Sequence, residues 1–139
     1  MHPALQILAA AAALEKAGQR TFRRHGLTVA QFNVLNLLAD QPAGLRASDL
    51  AAALIVDRSN VTGLLKRMYR LGFLKAVDSV HDRRQHVVTL SAKGRAAWAA
   101  AHPAYQQGLD AVAADWTPAQ RAALEKALQS LIARADQVP

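Results

Sequence analysis

Between Arg58 and Arg67 the chain sets Arg58, Ser59, Asn60, Thr62, Gly63, Lys66 and Arg67 among the apolar residues Val61, Leu64 and Leu65, with Met68 close behind. At 3.6 residues per turn the apolar set shares one helix face and the polar set takes the others. Such a polar face is built to meet base edges. Arginine pairs bidentately with guanine, asparagine with adenine, and serine or threonine hydroxyls reach bases or phosphates. Gly63 removes a side chain where a helix would approach a duplex most closely. An ordinary solvated helix surface has a similar composition, so the neighbouring segments must decide between the two.

Two other groups carry compatible chemistry. Arg83 and Arg84 lie in a polar stretch between two β-prone segments. Arginines on such a ribbon can enter an adjacent minor groove, where the negative potential is enhanced. Asp82 is expected to shape the tip by pairing with arginine, since phosphate repels it. Gln85 and His86 are weaker candidates. Upstream, Arg46 and Ser48 open a short helical pattern and can hold phosphate through charge and backbone N–H groups; Ser48 serves equally well as a simple helix cap.

Other chemistries find less support. His2, His25, His81, His86 and His102 have no i, i+4 pairing, and the chain has no cysteine, so neither a metal site nor a cofactor is expected. Without cysteine there is also no disulfide or thiol switch within the chain. No P-loop, dinucleotide fingerprint, GxSxG elbow or HExxH motif occurs. Ser91, the nearest thing to a nucleophile, reads better as a helix cap. The chain is therefore not expected to be an enzyme.

The elements that must position these residues can be read in order. Apolar steps at Ile7, Ala11, Leu14, Gly18 and Phe22 predict a helix from Pro3 to about His25. Leu5 and Leu8 widen its stripe, and a helix so apolar needs a partner surface. Thr28 and Gln31 form a capping-box pair, with Leu27 and Phe32 placed as a hydrophobic staple. That second helix should run to about Ala39 and stop at Asp40–Gly44. A short helix from about Ala47 to Leu54 and another opening at Asp57 follow closely, as in a helix-turn-helix. On the latter, Val61, Leu64, Leu65, Met68 and Leu71 should face inward, and Gly72 should end it.

The period then changes. Phe73–Val77 and the β-branched run His86–Leu90 predict two antiparallel strands. Such a ribbon is marginal alone and must pack on the preceding helices. Helix resumes after Ser91 and should be kinked or broken near Ala101–His102 by Pro103. Trp98, Tyr105, Leu109 and Val112 extend its apolar face. The last helix is announced by Thr117, Pro118 and Gln120 and carries Leu124, Leu128, Leu131 and Ile132.

With 139 residues the chain can form one compact domain with a core. Hydrophobic residues make up 52%, many of them alanine, which leans the composition towards helix. A formal net charge of +7 favours a polyanionic partner. Charged residues interrupt the first helix short of membrane-spanning length, and the amino terminus lacks a secretory pattern, so a cytoplasmic location and no membrane partner are expected.

The order of elements resembles that of the MarR family of bacterial winged-helix regulators. Residues 57–94 carry the most specific part: Val61-Thr62, the helix exit Leu71-Gly72-Phe73-Leu74, the tip Asp82-Arg83-Arg84, and Leu90-Ser91-Ala92-Lys93-Gly94. Thr28–Leu35 is similar to the family's second helix. Two positions depart. Arg46 stands where the family usually has a serine or threonine cap, and Ile55 where many members have glycine, so this turn needs another backbone or register.

The resemblance implies a mainly α (α+β) winged helix-turn-helix with a two-stranded wing and a helical dimerisation lobe. Residues 1–139 would form a single domain, with residues 28–90 as the DNA-binding lobe and 1–27 and 91–139 as dimerisation helices. It points to Asp82 and Arg84 as the recurring wing pair. It implies a homodimer on a palindromic operator in double-stranded DNA, acting as a repressor released by a small aromatic or phenolic ligand. Phe22, His25, Phe32, Trp98, His102 and Tyr105 would border the ligand cavity, although the same aromatics also serve as ordinary core. Two other readings remain: a DNA-binding regulator without a small-molecule effector, and a helical interaction module for an acidic protein.

Overall fold

The structure, a computed structural model, describes residues 1–54, 58–78, 84 and 86–139, with the backbone alone at residues 58 and 59. Its elements are α1 (Pro3–Arg23), α2 (Val29–Ala39), α3 (Ala47–Ala53), α4 (Arg58–Arg70), β1 (Leu74–Asp78), β2 (His86–Leu90), α5 (Ala92–Val112) and α6 (Pro118–Ala135). Contacts divide the chain into two compact units, Met1–Tyr105 and Gln106–Pro139.

In the first unit, local chemistry sets the helix ends. The Thr28 side chain accepts from the Gln31 N–H at 3.1 Å, and Gln31 Oε1 accepts from the Thr28 N–H at 3.0 Å. This is the expected capping box, and Leu27 and Phe32, the staple pair, are both buried. Helix α4 ends in a Schellman turn. Gly72 takes φ +82°, its N–H donates to the Tyr69 carbonyl, and the Phe73 N–H donates to that of Met68, both at 3.0 Å. Gly26, at φ +70°, closes α1 in the same way.

The core of this unit gathers the inner faces of α2, α3, α4 and the sheet, with Phe32, Leu35, Leu38, Leu50 and Met68 almost completely buried. Strands β1 and β2 are antiparallel, in a register from Leu74 opposite Leu90 to Asp78 opposite His86. Leu45 exchanges two backbone hydrogen bonds with Val88, of 3.0 and 2.7 Å, and so adds a one-residue third strand. This bridge and the packing of β2 beside α2 answer the need of a two-stranded ribbon for support.

Several expectations change. Strand β1 begins at Leu74, because Phe73 completes the turn that ends α4. Leu71 is exposed rather than inward-facing: the helix has ended at Arg70, and the left-handed Gly72 redirects the chain. Of the kink or break expected at Pro103, the break does not occur: helix α5 continues to Val112. Burial of Ala101, the Trp98 hydrogen bond to Asn36 and the Tyr105 ring contact with Phe32 hold the helix on both sides of the proline, and tertiary packing outweighs a lost backbone donor. On α1 only Phe22 is buried, while Leu5, Leu8 and Leu14 stand half or more exposed.

In the second unit, Thr117 and Gln120 form a second capping box at the start of α6, with bonds of 3.2 and 2.9 Å. Arg121 donates to the Ala113 carbonyl at 2.8 Å and ties the preceding turn to the helix. Helix α6 buries none of its residues, and Leu109 and Val112 at the end of α5 are likewise uncovered.

Candidate nucleic-acid interface

Helix α4 sorts its residues as the spacing predicts. Val61, Leu64, Leu65 and Met68 are buried, with Met68 fully inaccessible. Asn60, Thr62, Lys66 and Arg67 are exposed, and Gly63 is half-buried. Burial of four apolar side chains fixes which face the helix can offer, since rolling it would expose each at roughly 1.5–3 kcal/mol. The side chains of Arg58 and Ser59 lie outside the described residues.

Among the described residues, Gly63 has no steric reason. A Cβ there would meet nothing nearer than Arg67 Nη1 at 3.5 Å, an ordinary contact. A glycine inside a helix costs about 1 kcal/mol relative to alanine. Packing among the described residues does not explain that cost.

An open groove of about 400 Å³ runs between α3 and α4. Ser48, Thr62, Lys66 and Tyr69 supply its polar atoms, over a floor of Ala47, Ala51, Val61 and Leu65. The structure therefore brings Ser48 to the candidates of α4. Ser48 occupies the second position of α3, so the capping role considered for it does not hold. Tyr69 was missing from the sequence-based set. Its spacing of seven from Thr62 and three from Lys66 was the available signal, but only the proximity of α3 makes it part of a groove. Partial burial raises its phenol pKa, so it stays a neutral hydrogen-bond donor.

Arg46 is the N-cap residue of α3, with no side-chain capping bond. Its guanidinium forms an exposed ion pair with Asp49 instead, Nε to Oδ2 at 2.9 Å and Nη2 to Oδ1 at 3.3 Å. That hydrogen bond raises the Arg46 pKa and lowers that of Asp49. An arginine so placed must share or exchange Asp49 to hold a phosphate.

At the wing, Arg84 is exposed in a turn. Asp82, Arg83 and Gln85 lie outside the described residues, as do the turn position Ile55 and the proposed cap Asp57. At the base of the hairpin His86 Nδ1 lies 3.3 Å from Asp78 Oδ1, an exposed cross-strand pair.

The ligand candidates form a packed column of rings. Phe22 stacks on Phe32 with centroids 4.2 Å apart, and Phe32 meets Tyr105 at 4.9 Å. His102 lies 6.0 Å from Tyr105 and 4.8 Å from Trp98. Trp98 Nε1 donates to Asn36 Oδ1 at 3.0 Å, which ties α5 to α2. Phe22 and Phe32 are 4% and 0% exposed, so both are core side chains. His25 is exposed in the turn after α1, apart from these ring contacts among the described residues.

Comparison with known proteins places this arrangement. Residues 25–85 match the profile of the MarR family. The transcriptional activatory protein BadR of Rhodopseudomonas palustris is 40% identical over 87 residues, spanning 61% of this chain and 50% of BadR. The match therefore covers half the length of that relative. The homoprotocatechuate degradative operon repressor of Escherichia coli is 28% identical over 111 residues, 80% of this chain and 74% of the repressor. Among solved structures, Bordetella bronchiseptica BpsR superposes with a TM-score of 0.80 at 28% identity, covering 94% of this chain and 92% of BpsR. That structure is described as a mechanism for regulation of BpsR's DNA binding by 6-hydroxynicotinic acid. The elements α2 to β2 thus have the arrangement of a winged helix-turn-helix.

Proposed function

We propose, from the match of residues 25–85 to the MarR family profile, that the chain is a MarR-family, sequence-specific, DNA-binding transcriptional regulator that works as a homodimer. The observation that carries this reading is α4 itself: its apolar face is covered, and Asn60, Thr62, Lys66 and Arg67 face solvent around a glycine that packing among the described residues does not require. In a two-fold dimer the two α4 helices enter successive major grooves about 34–36 Å apart, and the operator is palindromic. Apolar side chains left open on α1 and α6 supply the surface for the second copy. Described residues include no helix long and apolar enough to cross a membrane.

The decisive experiment is fluorescence anisotropy of the protein on a duplex enriched from random-sequence DNA and on a scrambled duplex of equal composition. A specific regulator binds the first on the order of 10³-fold or more tightly. Equal binding to both, or to neither at low salt, refutes the reading, and the second result favours an acidic protein partner.

Regulation by repression, relieved by a small aromatic or phenolic ligand, is supported by the names of two relatives: the E. coli repressor and BpsR, whose DNA binding is regulated by 6-hydroxynicotinic acid. The closed ring column favours a second reading, a regulator without small-molecule input, since a ligand there must first displace Tyr105, His102 or Trp98 from packed positions. Thermal shift with a panel of aromatic acids separates the two. An effector at 100 times its Kd stabilises the fold by about 2.7 kcal/mol and weakens binding to the enriched duplex. A panel without any such compound supports the second reading.

A further inference from the structure

We infer that Lys93 is a positioning residue that aims α4, through a clasp between the exit of that helix and the first turn of α5; the inference rests on the DNA-reading role proposed above. Three consecutive carbonyls just beyond α4 each accept a hydrogen bond from the α5 side. Lys93 Nζ donates to the Leu71 carbonyl at 2.6 Å, Ser91 Oγ to that of Gly72 at 2.5 Å, and the Ser91 N–H to that of Phe73 at 3.0 Å. Ser91 Oγ in turn accepts from the Gly94 N–H at 3.0 Å, so one hydroxyl both caps α5 and holds the exit of α4.

Steric fit closes the same joint. Gly94 is buried, and a Cβ there would stand 2.0 Å from the Phe73 carbonyl oxygen, a distance no side chain can occupy. The Lys93 ammonium also lies 5.2 Å from the centre of the Phe73 ring, within cation–π range. A cation beside the last carbonyls of a helix is favoured by the helix dipole as well. The Leu71 hydrogen bond and the Phe73 ring contact both engage the Lys93 ammonium inside the protein, although Lys93 is an exposed residue of a basic chain.

Leverage makes the joint matter for reading. At 1.5 Å per residue, Asn60 sits about 16 Å along α4 from Leu71, and a tilt of about five degrees there moves it by about 1.4 Å. Binding contacts of this kind tolerate only about 0.5 Å. Loosening the clasp therefore degrades contact with base edges while leaving the flexible, charge-driven hold on phosphates in place.

The test uses Lys93→Met, which keeps most of the aliphatic stem and removes the donors, beside Lys93→Arg, which keeps the charge and the donors. Affinities are measured across a salt series on the enriched and scrambled duplexes, well below each variant's melting temperature. Lys93→Met is expected to lose about tenfold on the enriched duplex, comparable to one mismatched base pair. Its affinity for the scrambled duplex and its salt slope should stay unchanged, and Lys93→Arg should restore most of the loss. Equal weakening on both duplexes with a slope shallower by about one counterion identifies Lys93 as a phosphate contact and overturns the inference. So does unchanged discrimination, or a loss that Lys93→Arg fails to restore. Lys93→Ala, read by the same criteria, covers the case in which the methionine variant does not fold. A wild-type protein that cannot tell the two duplexes apart refutes the DNA-reading role itself, and this inference with it.

Discussion

Helices α4 and α6 both carry an apolar stripe, and the chain treats them in opposite ways. On α4 the stripe is covered: Val61, Leu64, Leu65 and Met68 are at most 6% exposed. On α6 Leu128 and Leu131 are only half-buried, and Ile132 stands 61% exposed. The difference separates two kinds of surface. Where the apolar face is satisfied within the chain, the polar face is free to act as a rigid reading edge. Where it is not, leucine and isoleucine leave an apolar face open to solvent, the kind of surface that marks an interaction site. Helix α1, with Leu5, Leu8 and Leu14 exposed, belongs with α6 in this respect.

The comparison can be broken at either end. The largest effect is expected from Met68→Ala, which empties a fully buried position on α4 and should cost about 2–5 kcal/mol by chemical denaturation. A loss below 1 kcal/mol would show that α4 is not packed as described. Next comes Leu128→Asp. If a second copy covers α6, a charge placed at that interface turns a dimer into a monomer or a poorly folded species, a penalty of several kcal/mol. Sedimentation at micromolar concentration reads it, and a well-folded wild-type monomer there would remove the contrast altogether.

Smaller effects sharpen the reading edge. Asn60→Ala should cost about 1–3 kcal/mol on the preferred duplex and relax choice at particular base pairs. Equal weakening on a scrambled duplex would mean that α4 does not read bases at that point. Arg84→Ala should weaken binding on most sequences and make the salt dependence shallower by about one counterion. An unchanged slope would take the wing off the DNA.

Legibility in the sequence followed the range of the forces involved. The capping boxes at Thr28 and Thr117, the Gly72 helix end and the buried face of α4 rest on residues within a turn or two of one another, so their spacing sufficed. Leu71 misled because a periodic pattern extends past a helix end it does not itself encode. At Pro103 the helix continues rather than breaks because the local cost, about 3 kcal/mol, is outweighed by packing contributed from distant segments. Tyr69 and Ser48 share a groove only through the approach of α3 to α4, a tertiary fact absent from either segment alone. Of the ring column the members were legible, but their stacking on one another was not.

The single-residue strand at Leu45 has a consequence for how the molecule behaves in a crowd. An unpaired strand edge is a template for pairing with strands of other molecules, and a two-stranded sheet offers two. Leu45 occupies the far edge of β2 at Val88 with both of its backbone hydrogen bonds. On the other strand, the exposed Lys75 and Asp78 place opposite charges along β1, a common device against edge-to-edge association. Both edges of the two described strands thus carry a feature that opposes strand addition from other molecules.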